Sequence, residues 1–348
     1  MPPLKTVFVI VLENHNWNDI EGNTNAPYIN QVLLPAASYC EQYYNPPANH
    51  PSLRNYVWIE AGTDFGIPAN NTPDVYHQST TNHLVTQLQA AGISWKAYQE
   101  DIDGLETPLN DVNLYAVRHD PFVYFDDVTG TNNPDWAYAI AHIRPYSELA
   151  GDLANNTVAR YNFITPNLCD DGHNSCDPLY NPLAQADTWL STEIPKILAS
   201  PAYADNGAIF ITWDEGVGDD GPIGFIALSP LARGGGYTNT IHYTHSSLLR
   251  SLQETFGVRP LLNDATNTAD LGDLFRPLTV KSATLTRSGC QIRCDGLVPG
   301  YTNIVEASTD LVNWAPISTN VASTDDLVIT DSTATNFTQR FYRVRRMQ

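Results

Sequence analysis

Apolar residues fill positions 7 to 12 without a break (Val7-Phe8-Val9-Ile10-Val11-Leu12), and the run stops abruptly at Glu13-Asn14-His15-Asn16-Trp17. A continuous apolar run of this length, rich in β-branched residues, predicts a strand covered on both faces. Similar strands are expected over residues 93–98, 160–165, 207–213 and 224–230. Between them the apolar spacing is helical. Residues 25–44 read as a helix and a return, 81–91 as a helix stopped by Gly92, and 146–153 as a short helix. Residues 186–198 have helical spacing through Trp189, Ile194 and Ile197, with Pro195 expected to kink or interrupt them. A last helix over 246–256 is expected to be capped by Ser246 and ended by Gly257. Buried strands alternating with amphipathic helices predict an α/β fold, a mostly parallel sheet flanked by helices.

Near residue 280 the texture changes. Short alternating runs (Gln291-Ile292-Arg293, Asn303-Ile304-Val305-Glu306-Ala307, Leu327-Val328-Ile329-Thr330, Arg340-Phe341-Tyr342-Arg343-Val344) are separated by turn residues, and no helical pattern appears. The expected organisation is a catalytic domain over residues 1–279 and a small all-β, fibronectin-like accessory module over 280–348.

In open parallel sheets, ligand sites lie just beyond the carboxyl ends of the strands. Four strand ends or loops here carry ligand-type side chains: Glu13 with Asn14, Ser52 with Asn55, Asp170 and Asp171 with His173, and Asp214 with Glu215. His242 and His245 form a fifth group. Ser52 follows a turn-prone run and opens a segment that reads as a helix closed by Gly62, so its hydroxyl is expected at a helix start. There it is either an N-cap or part of an anion site. Oxygen and imidazole ligands without thiolates suit Zn, Mn, Ca or Mg.

Charge narrows the choice of partner. Against 18 Lys+Arg the chain carries 38 Asp+Glu, a formal net charge of −20, which argues against nucleic acid and against an anionic membrane surface. A phosphate-bearing substrate would then need local positive charge, most simply a divalent metal ion held by carboxylates. No apolar run reaches membrane-spanning length. The spacings of Cys169/Cys176 and Cys290/Cys294 suggest two small disulfide loops, hence an exported protein, secreted or periplasmic, whose signal peptide has been removed.

Taken in series, several stretches resemble the phosphoesterase family of bacterial phospholipases C and acid phosphatases, within the alkaline phosphatase superfamily. They are Glu13-Asn14-His15, His50-Pro51-Ser52-Leu53-Arg54-Asn55-Tyr56 closing at Gly62, Ser94-Trp95-Lys96-Ala97-Tyr98-Gln99-Glu100, Arg118-His119-Asp120-Pro121-Phe122, Pro166-Asn167-Leu168-Cys169, Trp213-Asp214-Glu215-Gly216 and His245-Ser246-Ser247-Leu248-Leu249-Arg250. The resemblance implies Ser52 as a nucleophile that becomes phosphorylated and Asn55 as a phosphate ligand. It implies Glu13, Asn14, Asp214 and Glu215 as metal ligands together with the Ser52 oxygen. His119 and His173 would line the phosphate and leaving-group side, with His245 also near substrate. Asp171, His173 and His245 could complete a second metal site. Arg54 departs from the family, where Pro is usual, and is either a surface change or an added positive charge near the phosphate.

The function expected is therefore metal-dependent hydrolysis of small phosphate monoesters through a phosphoserine. A phospholipase C or other phosphodiesterase using the same site is the alternative. An inert surface- or carbohydrate-binding protein is a lesser one, motivated by the C-terminal module. Ser52-Leu53-Arg54-Asn55-Tyr56 lacks the Cys/Ser-x-Pro-x-Arg context of a sulfatase.

Overall fold

The first apolar run forms strand β1 (Thr6–Leu12), and Val7 to Leu12 are wholly buried. The computed structural model describes residues 1–218 and 221–347. Seven further strands join β1 in one sheet: β2 (Ser38–Cys40), β3 (Trp95–Gln99), β4 (Ile143–Pro145), β5 (Tyr161–Thr165), β6 (Gly207–Trp213), β7 (Phe225–Leu228) and β8 (Tyr237–Asn239). Their order is β4-β3-β5-β1-β6-β7-β2-β8. β1 lies between β5 and β6 and is parallel to both. β7 alone runs antiparallel to its two neighbours. Leu12 pairs with Trp213 at the carboxyl ends of β1 and β6. Glu13 and Asp214 therefore leave the sheet side by side, and the Asp214 N–H donates to the Leu12 carbonyl at 2.9 Å.

Four helices matter most for the site and its support: α1 (Ser52–Ala61), α2 (Leu84–Ala90), α3 (Pro182–Leu198) and α4 (His245–Phe256). α1 ends at Gly62 as its sequence predicts. That residue is left-handed (φ 72°), and its N–H closes on the Trp58 carbonyl at 2.7 Å. A Cβ there would sit 2.9 Å from the Leu262 carbonyl oxygen, which also demands glycine.

Several local expectations change. Residues 25–44 do not form one helix but a π-turn (Ile29–Leu33) and one short turn (Leu34–Ala36) before β2. α3 runs through Pro195 without interruption, because the proline falls in the last turn, where only one backbone bond is lost. α4 is capped by Thr244, not Ser246; the Thr244 N–H donates to Ser247 Oγ at 3.2 Å. Ser246 serves packing instead, accepting from Trp58 Nε1 and donating to Asp264 Oδ2, both at 2.7 Å.

The chain divides into two compact units, one spanning Pro3–Phe275 and the other beginning at Arg276. The second holds two three-stranded antiparallel sheets. One comprises Thr279–Thr286, Gly289–Asp295 and Asp326–Asp331, the other Ala315–Val321, Thr302–Ser308 and Phe341–Arg346. Its small core includes Ile292, Leu297 and Val305.

Of the two expected disulfides, Cys169–Cys176 is present and Cys290–Cys294 is not. Cys290 and Cys294 lie on one strand. Four residues along a strand span about 13 Å, well beyond the ~7 Å that a disulfide can bridge. Both thiols are buried instead.

Candidate active site

Glu13 follows β1, and its N–H donates to the carbonyl of Asp171 at 2.8 Å, which ties the loop after β5 to the end of β1. That loop is closed by the Cys169–Cys176 disulfide. His119 comes from a 3-10 turn (Val117–His119). The turn is followed by Asp120, whose buried carboxylate accepts from the Phe122 N–H and the Tyr115 hydroxyl, both at 3.2 Å. Ser52 opens α1 at its first helical position; the N-cap is Pro51, so the hydroxyl is not spent on capping.

Three carboxylates converge, and each has one oxygen occupied and one open. Glu13 Oε2 accepts from Ser52 Oγ at 3.2 Å. Asp171 Oδ1 accepts from the His173 N–H at 2.7 Å. Asp214 Oδ1 accepts from the N–H groups of Glu215 (2.6 Å) and Asn14 (3.3 Å). Glu13 Oε1, Asp171 Oδ2 and Asp214 Oδ2 are buried with no hydrogen-bond partner among the described residues, as are His119 Nε2 and Asn14 Oδ1. Orphaned polar atoms in such number are costly and point to a missing partner.

Electrostatics narrows what that partner can be. Burial, then mutual repulsion, raises the pKa of Glu13 well above the carboxylate range, with Asp214 and Asp171 as its repelling neighbours. Asp171 and Asp214 are raised likewise, burial leading in each case. Burial, with Arg118 and His173 adding to it, pushes His119 well below its usual value, so its ring is neutral. Its Nε2 lies 3.2 Å from Glu13 Oε1 and its Nδ1 3.3 Å from Asp171 Oδ2. A neutral imidazole carries one proton and can donate to only one of these carboxylates. With both carboxylates ionised, the other pair brings lone pair against lone pair, an arrangement that a proton or a cation relieves. Ligand atoms of Glu13, His119 and Asp171 all fall within 4.8 Å of one another. The donor set fits a divalent metal ion.

The remaining expected residues take other places. Glu215 Oε2 receives Asn55 Nδ2 at 2.8 Å and lies 2.9 Å from His50 Nδ1. Asn55 is fully buried; its Nδ2 also donates to the Asn49 carbonyl (2.6 Å), and its Oδ1 accepts from Asn49 Nδ2 (2.9 Å). His245 has both ring nitrogens engaged: Nε2–H donates to the Asp214 carbonyl at 2.6 Å, and Nδ1 accepts from the Tyr43 hydroxyl at 3.1 Å. His173 is exposed, its ring centre 5.9 Å from that of His119. Asp171 and His119 thus stand with Glu13 in one group, while His173 is exposed beside it and His245 holds the Asp214 carbonyl. Arg54 is paired with Asp64 (Nε to Oδ2 2.6 Å) and donates to the His50 carbonyl at 2.9 Å. Its charge is neutralised within the loop.

Sequence reading passed over two residues. Tyr56 lies one turn beyond Ser52 on the same face of α1, fully buried. Its ring stacks on His119 (5.0 Å, 11°). The i,i+4 spacing from Ser52 was the available signal. Arg118 precedes His119 and donates from Nη2 to His173 Nε2 at 3.4 Å; its place in the Arg-His-Asp-Pro-Phe stretch was the clue.

Solved structures share this fold, a mostly parallel sheet flanked by helices. A phosphonate monoester hydrolase of Agrobacterium radiobacter superposes with a TM-score of 0.51 at 9% identity, covering 84% of this chain and 80% of that one. A lipoteichoic acid synthase from Listeria monocytogenes gives 0.51 at 11% identity, covering 74% and 73%. The model of the Phosphoesterase family matches residues 26–259, and the chain belongs to this family. It is similar to the phosphatidylinositol-3-phosphatase of Mycobacterium tuberculosis, 27% identical over 279 residues, 79% of this chain and 84% of that protein. It is also similar to a phosphate-repressible acid phosphatase of Penicillium chrysogenum, 27% identical over 224 residues, 61% of this chain and 51% of that protein. A phospholipase C of the same Mycobacterium species is 23% identical over 229 residues, 59% of this chain and 41% of that protein. The chain thus spans about half the length of the acid phosphatase and about two-fifths of the phospholipase C. Family membership makes it a phosphoric ester hydrolase.

Proposed function

We propose that the chain is a metal-dependent phosphomonoesterase that acts through a phosphoserine at Ser52. The observation that carries this reading is the ring of unpartnered buried ligand atoms on Glu13, His119, Asp171 and Asp214 beside the Ser52 hydroxyl. Glu13, His119, Asp171 and Asp214 would hold the ion, with Asn14 Oδ1 available to it. A divalent cation bound there supplies the positive charge that favours the serine alkoxide and draws in phosphate.

The chain's own groups do the rest. Ser52 Oγ donates to Glu13 Oε2, so the proton lost on attack already points at a carboxylate. Asn55, locked by Asn49, fixes Glu215 and so supports the strand end that carries Asp214. Tyr56 packs flat on His119 and sets the plane of its ring. His173, exposed beside the cluster, is placed to meet the leaving group. Attack of Ser52 on phosphorus releases the alcohol, and water then cleaves the Ser52 ester. We assign the C-terminal unit an accessory role outside this chemistry, and the disulfide fits an exported protein.

A lipid-borne phosphate is the second reading. The relative matched over 84% of its length is a phosphatidylinositol-3-phosphatase, and exposed Val217 stands two residues beyond Glu215.

Ser52→Ala tests the proposal. Turnover of p-nitrophenyl phosphate should fall by about 10³-fold or more, and the acid-quenched wild type should yield a phosphorylated peptide containing Ser52. A variant that keeps most of its activity, or a label on another residue, would refute it.

A further inference from the structure

The charge balance of the site is incomplete. Glu13, Asp171, Asp214 and Glu215 bring four carboxylates to one sheet edge, and a single divalent ion offsets two of those charges. A phosphate monoester arrives near pH 7 with close to two more negative charges. Something else on the chain must meet it.

Among the described residues one cation is in a position to do so. Arg118 is half-buried beside the cluster, and its charge acts favourably on both Glu13 and Asp171. Among the described residues it makes no ion pair. Its one side-chain hydrogen bond is the 3.4 Å donation from Nη2 to His173 Nε2, and His173 in turn donates from Nδ1 to Asn174 Oδ1 at 2.8 Å. No other described residue takes a hydrogen bond from its side chain. Arg54, which also flanks a motif, is consumed by Asp64. A guanidinium held next to an anionic site but bonded to no carboxylate has the geometry and donor count to take two phosphoryl oxygens at once.

We propose that Arg118, steadied by His173, binds the non-bridging oxygens of the substrate phosphoryl group and selects dianionic monoesters over monoanionic diesters. This rests on the phosphatase reading above and adds the group that reads substrate charge. A diester has one charge fewer and one oxygen masked by carbon, so it gains less from the fork.

Two variants test it, Arg118→Gln and Arg118→Lys, each checked for folding by circular dichroism. Inorganic phosphate binding to the metal-loaded protein is measured by calorimetry. Steady-state kinetics are run on p-nitrophenyl phosphate and bis-p-nitrophenyl phosphate. Arg118→Gln should weaken phosphate binding about tenfold or more and raise KM for the monoester by a similar factor, while kcat/KM for the diester falls by less than about threefold. Arg118→Lys keeps the charge without the fork and should recover part of the loss. Unchanged phosphate binding, or equal losses on both esters, would overturn the proposal. A wild type that hydrolyses neither ester would instead refute the phosphatase reading, and the calorimetry would still report on Arg118.

Discussion

Replacing His245 separates the chemistry of the site from its support. The ring is wholly buried, donating to the Asp214 carbonyl at 2.6 Å and accepting from Tyr43 at 3.1 Å. It therefore holds the backbone from which the open Asp214 Oδ2 projects. His245→Ala would strand two buried polar groups at about 1–3 kcal/mol each and leave a cavity, roughly 3–6 kcal/mol together. That is a large share of the ~5–15 kcal/mol stabilising a typical protein. Two gentler changes divide the loss. A glutamine amide nitrogen reaches about as far as Nε2 and can still donate to Asp214, whereas an asparagine amide reaches only as far as Nδ1 and can still meet Tyr43. Each variant gives up one bond, about 1–3 kcal/mol, and the two should melt alike. Their activities should part: His245→Gln should stay within a few-fold of wild type, while His245→Asn, with Asp214 released, should lose about 10²-fold.

Acidity supplies a second readout of the same ring. Burial lowers the His245 pKa from 6.5 to about 4. The stability tied to its neutral form is present above pH 6.5 and is lost as pH falls toward 4, by up to roughly 3 kcal/mol. Glutamine does not titrate, so His245→Gln should flatten this acid limb. Thermal melts across pH and kcat on p-nitrophenyl phosphate at saturating metal measure both effects. Equal falls in kcat for the Asn and Gln variants, with equal melting, would refute the positioning role.

Metal removal should leave a pH signature of its own. Glu13, Asp171 and Asp214 are raised in the fold, so the native metal-free state binds more protons than the unfolded chain above about pH 4, and its stability declines as pH rises. Protons compete with the ion for these carboxylates, so the rise in Tm on adding Mn, Zn, Mg or Ca should grow between pH 4.5 and about 7.5; a gain absent with all four ions, or independent of pH, would refute this. Cys169 and Cys176 close a short loop of sequence separation 7 that carries Asp171 and His173, and replacing both with serine should cost about 2–3 kcal/mol through loop entropy. Metal titration of that double variant should show a several-fold higher half-saturation point with activity recovered at excess metal, and an unchanged requirement would show that the disulfide does not hold Asp171 in place.

The apolar runs Val7–Leu12 and Gly207–Trp213 were readable as strands because burial on both faces leaves them almost wholly apolar, Thr212 apart, and polar residues at their ends marked one edge of the sheet. Glu13 and Asp214 were placed at that edge in this way, Ser52 at a helix start by the turn-prone run before it, and the motif series was enough to indicate the family. Local pattern could say nothing about partners chosen across the fold. His83 reads as a surface helix residue, yet it is buried, with Nδ1 3.3 Å from Glu60 Oε1, Nε2 2.9 Å from Asp127 Oδ1 and its ring stacked on Phe125. The spacing of Cys290 and Cys294 suggests a loop, but strand geometry holds them apart. His119 sits on a 3-10 turn without periodicity. Only the pairing of β5 beside β1, and the turn that delivers the imidazole between Glu13 and Asp171, put it among the carboxylates. Which residues lie at the sheet's carboxyl edge could be read from the chain, because hydrophobic burial is written locally. Which of their lone pairs remain open was decided by tertiary structure alone, because that depends on donors brought from distant parts of the chain.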